Sequence, residues 1–462
     1  MRRSACVLVI CLLCFSCATY YQKNARFNSY FQQGQLKEAA HVLETSKKLR
    51  KKEKLLYYLN RGVLSSMKGE YAESNVFFEQ AYLMVEDYQV NYLNEGAAFL
   101  SNPNMVAYRG ENFEQLLINY YKALNFLKLG NIEAALVECR RMNIRLNQIN
   151  SFYDSENKYK RDAFMHNLMG IIYDAAGEYN NAFIAYRNAY NIYQEDYIEM
   201  FGFGAPEQVK KDLLRTAYLN GFFTDLDFYE RQFGIKYIHD SSKKGSLVFF
   251  WHNGLGPVKS EWSINFNIIR GRGGNVMFVN EQMGLSFPFA MSGDNYQSSG
   301  LSDLEFIRVA FPKYIERPLL YNSAKLSVGS KEFHLEKAQD VNAIAFRSLQ
   351  DRMLLEMGKS LLRVGLKKAT EYKLRSQHSG AGAAVGIFNA ITEKADTRHW
   401  QTLPHNIHYT RIPLEEGVHE VTFTGSGKNS NKSEKFSFEI YSGHTHFQTF
   451  HSLEMGNDFV MP

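Results

Sequence analysis

The chain has 462 residues, 45% of them apolar and 22% charged, with a formal net charge of +5. This composition is that of a globular protein, and the length predicts two or three domains. The charge is too close to neutral to favour a nucleic-acid partner, so we expect none.

The N-terminus has the pattern of a secretory signal. Arg2 and Arg3 precede an apolar run from Ala5 to Phe15. That run is shorter than the roughly 20 residues that cross a bilayer, which favours a cleaved signal over an anchor helix. Cys14-Phe15-Ser16-Cys17 then resembles a bacterial lipobox, whose last cysteine is diacylated and becomes the mature N-terminus. The alternative is an ordinary signal peptide with a coincidental cysteine.

The prediction is therefore a signal peptide at 1–16 and a lipid anchor at Cys17, which ties the protein to a membrane. Ala18-Thr19 is similar to the sorting pattern of outer-membrane lipoproteins, which implies a place in the cell envelope, on the outer membrane. After cleavage only Cys17 and Cys139 remain, so no intrachain disulfide is expected.

Residues 17–233 are predicted to form a helical domain in which one spacing occurs twice. A glycine is followed by a second glycine seven residues later, and an aromatic residue, a second aromatic residue and an alanine come two, nine and twelve residues after that. The two copies are Gly62, Gly69, Tyr71, Phe78 and Ala81, and Gly170, Gly177, Tyr179, Tyr186 and Ala189. This pattern resembles the tetratricopeptide repeat, which implies an α-solenoid. Weaker copies surround Gly34 and Gly130, and the alternative is a plain helical bundle.

Arrays of this kind usually bind a peptide or protein on their concave face. From the positions of residues within the repeat pattern, that face would carry Asn24, Asn28, Tyr120, Asn167 and Asp174. The hypothesis is that these side chains bind an envelope protein, and the alternative is that they are solvated helix surface.

Residues 234–462 are predicted to form a β-rich, sandwich-like domain with a helical insert at about 338–395, so that the whole chain is of the α+β class. Short β-rich runs separated by turns lie on both sides of the insert, and Pro413–Gly417 is interpreted as a hairpin-like turn between two of them. The strands before and after the insert are candidates for one sheet system. Within the insert, apolar residues from Val341 to Val364 recur every three or four positions, as in a long helix. That helix is basic, which fits either packing on a sheet or lying on a membrane surface.

Several segments resemble an uncharacterised family of bacterial lipoproteins with tetratricopeptide-like repeats. They are 108–114, 119–125, 137–143, 252–259, 310–314 and 393–400 with Leu403-Pro404. The resemblance implies the fold and the location, but no established reaction.

The sequence lacks the common signatures of catalysis. There is no His-Glu-x-x-His, no Gly-x-Ser-x-Gly and no phosphate-binding loop, and we predict neither a cofactor nor a metal. Five side chains are candidates for binding a sugar or peptide: His252, Lys259, Asp396, Arg398 and Trp400. The alternative is that they form structural pairs at a domain junction.

The favoured hypothesis is a non-enzymatic, outer-membrane-anchored adaptor that binds an envelope protein through its repeats. The alternative is a cell-envelope enzyme or a carbohydrate- or peptidoglycan-binding lipoprotein that uses the C-terminal half.

Overall fold

The computed structural model describes residues 19–45, 51–90, 106–152, 158–240, 242, 244–270, 275–290, 306–319, 321–377, 394–427 and 431–455. The predicted signal peptide and the lipidation site Cys17 lie outside these ranges. Within them the prediction of an α+β chain is confirmed, with helices in the N-terminal half and sheets in the C-terminal half.

The N-terminal half consists of helices that follow one another along the chain. They are α1 (Tyr20–Lys23), α2 (Ala25–Gln32), α3 (Leu36–Thr45), α4 (Lys54–Met67), α5 (Tyr71–Val90), α6 (Asn112–Lys128), α7 (Ile132–Phe152), α8 (Ala163–Ala175), α9 (Tyr179–Ile192), α10 (Ile198–Phe201), α11 (Glu207–Leu219) and α12 (Phe223–Phe233). A 3-10 turn, Lys51–Glu53, precedes α4, and a π-helical turn, Tyr193–Tyr197, follows α9.

The repeated glycine spacing has a direct structural basis. A Cβ atom added to Gly62 would lie 2.6 Å from Cζ of Phe78, and one added to Gly170 would lie 2.6 Å from Cδ1 of Tyr186. Each pair joins successive helices, α4 to α5 and α8 to α9, so the glycine lets an aromatic ring pack against the neighbouring backbone. The glycines of the interhelical turns, Gly34, Gly69, Gly130 and Gly177, all have positive φ.

The described residues of the C-terminal half form three four-stranded sheets. The strands are β1 (Gly245–Asn253), β2 (Val258–Arg270), β3 (Asn275–Asn280), β4 (Leu285–Ala290), β5 (Phe306–Ile315), β6 (Tyr321–Val328), β7 (Lys331–His334), β8 (Glu336–Asp340), β9 (Asn406–Leu414), β10 (Gly417–Gly427), β11 (Asn431–Ile440) and β12 (Thr445–His451). We call β12-β1-β9-β8 the inner sheet and β11-β10-β6-β7 the outer sheet. The third sheet, β4-β3-β2-β5, packs against the long helix α13 (Val341–Gln377), and we call this unit the helix-backed sheet.

The inner sheet is buried on both faces. Because successive side chains of a strand point to opposite sides, β1 contributes to two cores. Leu247, Phe249 and Trp251 face the outer sheet and form the core of a sandwich. Val248 and Phe250 face the helices and belong to the core of the N-terminal half. The helical half is therefore packed against the chain's own sheet on one surface, which we call its inner surface.

Strands from both sides of α13 share these sheets. β1 pairs in parallel with β12 and antiparallel with β9, and β6 pairs antiparallel with β10. Three sequence interpretations were wrong or incomplete. The helical insert, predicted from about residue 338, begins only at Val341, because Glu336–Asp340 is the strand β8 of the inner sheet. The segment Pro413–Gly417 is not a hairpin, because β9 belongs to the inner sheet and β10 to the outer one, so the segment is a corner between them. The strand β5, which pairs with β2 along its whole length, was not predicted.

Candidate functional site

The predicted partner-binding residues of the central helices lie against the inner sheet. The hydroxyl of Tyr120 on α6 is 2.7 Å from Nε2 of His252 on β1. The hydroxyl of Tyr409 on β9 donates to Oδ1 of Asn167 on α8, at 3.4 Å. Since Tyr120 and Asn167 are fully buried, a partner protein cannot reach them while the sheet is in place.

Asp174, the third of these residues, forms a buried ion-pair cluster. Its carboxylate accepts Nη2 of Arg411 on β9 at 2.7 Å and Nη1 of Arg215 on α11 at 3.0 Å. Burial alone would raise the pKa of Asp174, but the two guanidinium groups outweigh it and hold this pKa below its ordinary value. Asp174 thus joins a strand to the helices instead of facing solvent.

Asn24 and Asn28 lie apart from that cluster, near the start of the described chain. Nδ2 of Asn24 donates to the carbonyl of Tyr20 at 2.9 Å, and Nδ2 of Asn28 donates to the carbonyl of Tyr21 at 3.0 Å. These bonds fix α1 against α2. The five predicted residues therefore do not form one surface.

His252 and Lys259 occupy two different buried environments. Burial lowers the pKa of His252 to about 3, so its imidazole is neutral at pH 7 and shares a hydrogen bond with Tyr120. Lys259 lies on β2, where its ammonium donates to Oε1 of Glu111 at 2.8 Å and sits 5.2 Å from the centre of the Tyr314 ring. Both side chains therefore bind to groups of the same chain, His252 to Tyr120 and Lys259 to Glu111.

Glu111 is the centre of a junction between three parts of the fold. It immediately precedes α6, and its carboxylate accepts Lys259 from the helix-backed sheet and Nη2 of Arg352 from α13 at 2.7 Å. Burial favours the neutral form of Glu111, but the two cations outweigh it and lower its pKa. A buried carboxylate with two cationic partners is a typical structural anchor, because removal of one partner leaves an uncompensated charge.

Glu114 extends this junction toward the segment 394–405. Its Oε2 accepts the Tyr108 hydroxyl at 2.5 Å and the Glu111 amide at 2.9 Å, and its Oε1 accepts the Trp400 amide at 2.8 Å. Burial and the nearby charge of Glu111 raise the pKa of Glu114. Neither Glu111 nor Glu114 was a candidate, although two glutamates three residues apart at a helix start are a recognisable capping pattern.

Asp396, Arg398 and Trp400 do not share a strand face, because the segment that carries them is not a strand. Arg398 binds Asp396, with Nη2 2.7 Å from Oδ2, and its Nη1 donates to the carbonyls of Lys52 and Val106 at 2.9 and 2.8 Å. The Trp400 ring packs near Phe78, and its Nε1 donates to Thr402 at 2.9 Å. These contacts correspond to the alternative in which the three residues fix a domain junction.

The described residues contain neither a cluster of metal ligands nor a membrane-spanning helix. Among the side chains in those ranges, no group of three or more His, Cys, Asp or Glu is placed to hold a metal ion. In the same part of the chain, no helix combines the length and apolarity needed to cross a bilayer.

Comparison with known proteins leaves the family open. No protein-family model matches the sequence, and no curated protein matches it. Solved structures with some likeness include the crystal structure of BtubC (BKLC) from P. vanneervenii, which is 17% identical, with 46% of this chain and 80% of that chain covered and a TM-score of 0.30. A likeness at that TM-score supports neither a fold nor a function.

Proposed function

We propose that the protein is a lipoprotein of the bacterial cell envelope, anchored to the outer membrane through Cys17, that acts as a non-enzymatic adaptor for another envelope protein. The helical half is then a tetratricopeptide-like array, as its glycine–aromatic contacts favour. Its inner surface holds the inner sheet, so the partner binds elsewhere on the molecule.

The observation that carries this proposal is the outward face of the helix-backed sheet. The face toward α13 holds Phe266, Phe278 and Phe311 in a third core. On the opposite face, Ile269 and Met277 are directly opposed across β2 and β3 and are 49% and 41% exposed.

Phe306, 60% exposed, extends this apolar face. It pairs with Asn267, which lies two residues from Ile269 on the same side of β2. The uncovered face of an antiparallel sheet is ordinarily polar, so three exposed apolar side chains around Asn267 favour a protein-binding surface. We call Ile269, Met277 and Phe306 the apolar patch.

The alternative function, carbohydrate or peptidoglycan binding, has less support from the geometry. The charged candidates for it already have partners within the chain: Lys259 is paired with Glu111, and Arg398 with Asp396 and the backbone carbonyls of Lys52 and Val106. A sugar at that position would first have to displace these bonds from a buried site, which costs free energy.

The test is capture of a partner by the tethered, full-length protein in intact envelopes. A photo-crosslinking residue placed at Asn267, between the members of the apolar patch, should yield one discrete adduct with an envelope protein. The double variant Ile269→Lys/Met277→Lys should lose that adduct, because lysines on this face oppose burial of the partner's apolar surface.

The matched control is Val418→Lys, which changes an apolar residue of β10 that is 73% exposed. The adduct should persist in this variant, and circular dichroism should show that both variants are folded. Two outcomes would contradict the adaptor function: an adduct that survives the double variant, or no adduct from the protein that carries the crosslinking residue at position 267 and is otherwise unchanged.

A further inference from the structure

The lipid anchor proposed above has a structural consequence, because the folded body begins almost at the anchored residue. Cys17 precedes the first described residue, Thr19, by two positions, a span of at most about 7 Å. Tyr20 already belongs to α1 and is buried, and its amide donates to Oγ1 of Thr397 at 2.9 Å. The body therefore cannot move far from the leaflet that holds the acyl chains.

The 3-10 turn Lys51–Glu53 lies beside this anchored end. Thr397 is followed by Arg398, whose Nη1 donates to the carbonyl of Lys52 at 2.9 Å. The 3-10 turn that contains Lys52 thus lies next to the segment that holds Tyr20. Burial raises the pKa of Tyr20, and the charge of Glu53, in the same turn, raises it further, in agreement with this proximity.

The anchored end of the chain and the 3-10 turn Lys51–Glu53 are predominantly basic. Between Cys17 and Glu38 the sequence contains Lys23, Arg26 and Lys37 and no acidic residue. In the structure Lys23 and Arg26 are exposed, as is Lys51, and Lys52 is half-buried. Acidic groups near this region include Glu53, Glu261, Glu316 and Asp396. Asp396 is paired with Arg398, Oε2 of Glu261 accepts the amide of Ala395 at 2.7 Å, and Oε1 of Glu316 lies 3.0 Å from Nε2 of His405. We call Lys23, Arg26, Lys51 and Lys52 the basic surface.

We propose that the basic surface lies on the anionic phospholipid headgroups of the leaflet that holds the Cys17 anchor. Basic residues beside a lipid anchor are attracted to anionic lipids, and this attraction extends over about one Debye length, roughly 8 Å at physiological salt. The short span from Cys17 keeps the body close to the bilayer, within the range of that attraction. The acyl anchor would hold the protein on the membrane, and the basic surface would then fix the orientation of its body. This inference rests on the lipid anchor in the proposed function.

The experiment uses the full-length, lipidated protein reconstituted into vesicles of phosphatidylcholine, with or without about 30% phosphatidylglycerol. A water-soluble, amine-reactive reagent labels exposed lysines, and mass spectrometry gives the labelling rate of each one. Phosphatidylglycerol should lower the rates at Lys23, Lys51 and Lys52 by about threefold or more, and about 0.5 M NaCl should restore them. Lys331 and Lys435, on β7 and β11, should label equally in both kinds of vesicle.

The variant Lys51→Gln/Lys52→Gln should weaken the protection of Lys23. The control Lys331→Gln/Lys435→Gln, which removes the same charge from the outer sheet, should leave that protection unchanged. Equal labelling of the basic surface in both kinds of vesicle, in a protein that floats with both, would overturn the inference while leaving the anchor intact.

Two further outcomes would also overturn it, for different reasons. Protection confined to Lys359 would place α13 on the bilayer instead. Failure to float with either kind of vesicle would remove the anchor itself, and with it the proposed location of the protein.

Discussion

Several of the side chains that join the two halves of the molecule are polar, although they lie in its interior. Asp174 with Arg411, Glu111 with Lys259 and Tyr120 with His252 each connect a helix to a strand. Buried pairs of this kind are costly to break, because the remaining group loses both its partner and its water. Sequence reasoning selected Asp174, Lys259, Tyr120 and His252 individually but gave no means of pairing them, since the partners are far apart in the chain.

From the burial of His252 we predict that the stability of the protein depends on pH. The pKa of His252 is lowered from 6.5 to about 3 on folding, so between these values the unfolded chain binds a proton that the folded chain does not. The free energy of unfolding therefore falls as the pH falls, by about 2 kcal/mol at pH 5 from this one residue. Urea unfolding of His252→Gln, which keeps a hydrogen-bond partner for Tyr120, should show a correspondingly smaller loss between pH 7 and 5.

His444→Gln provides the control for this prediction, because His444 is exposed. Its pH profile should match that of the wild type. A His252→Gln profile that also matches the wild type would show that the imidazole is not buried as described.

At the level of elements, local patterns were sufficient for the helices and for most strands. The glycines with positive φ and the apolar periodicity of α13 are set by residues that are close in sequence. Such features can be predicted from the sequence alone. The strand β5 has the alternation expected of it, with Ile307, Val309 and Phe311 facing the core, but it follows a long segment of weak pattern and was not recognised. The placement of the inner sheet on the helices depends on contacts between distant residues, which no local pattern encodes.

The glycine–aromatic contact gives a prediction at this scale. Gly170→Ala should lower the free energy of unfolding by about 1–3 kcal/mol, because the added methyl group overlaps the ring of Tyr186. Gly358→Ala in α13 is the matched control, since its nearest non-helical atoms, in Phe287, are 3.8 Å from the added Cβ. It should stabilise the protein by up to about 1 kcal/mol through helix propensity. Equal effects of the two substitutions on urea unfolding would contradict the close packing of α8 on α9.

At the level of the whole molecule, one hydrophobic core extends from the helices into the inner sheet. It includes Leu117 and Phe164 from helices and Val248, Phe250 and Tyr409 from strands. The two halves predicted as separate domains are therefore expected to unfold together. The helix-backed sheet has its own smaller core and should be less strongly coupled.

Native-state hydrogen exchange tests this expectation. The slowest amides of α6, α8, β1 and β9 should share one free energy of opening, whereas those of β3 and β4 should open with a lower one. Helical amides that remain protected under conditions where β1 has already exchanged would show that the halves are independent.

The central claim, that the inner surface of the helices binds the chain's own sheet, is tested most directly by a double-mutant cycle between Asp174 and Arg411. Urea unfolding of the wild type, Asp174→Ala, Arg411→Ala and the double variant gives the coupling energy of the two side chains. The direct ion pair at 2.7 Å predicts a coupling of about 1–3 kcal/mol. Additivity within about 0.5 kcal/mol would contradict the contact and leave the inner surface of the helices available to another protein.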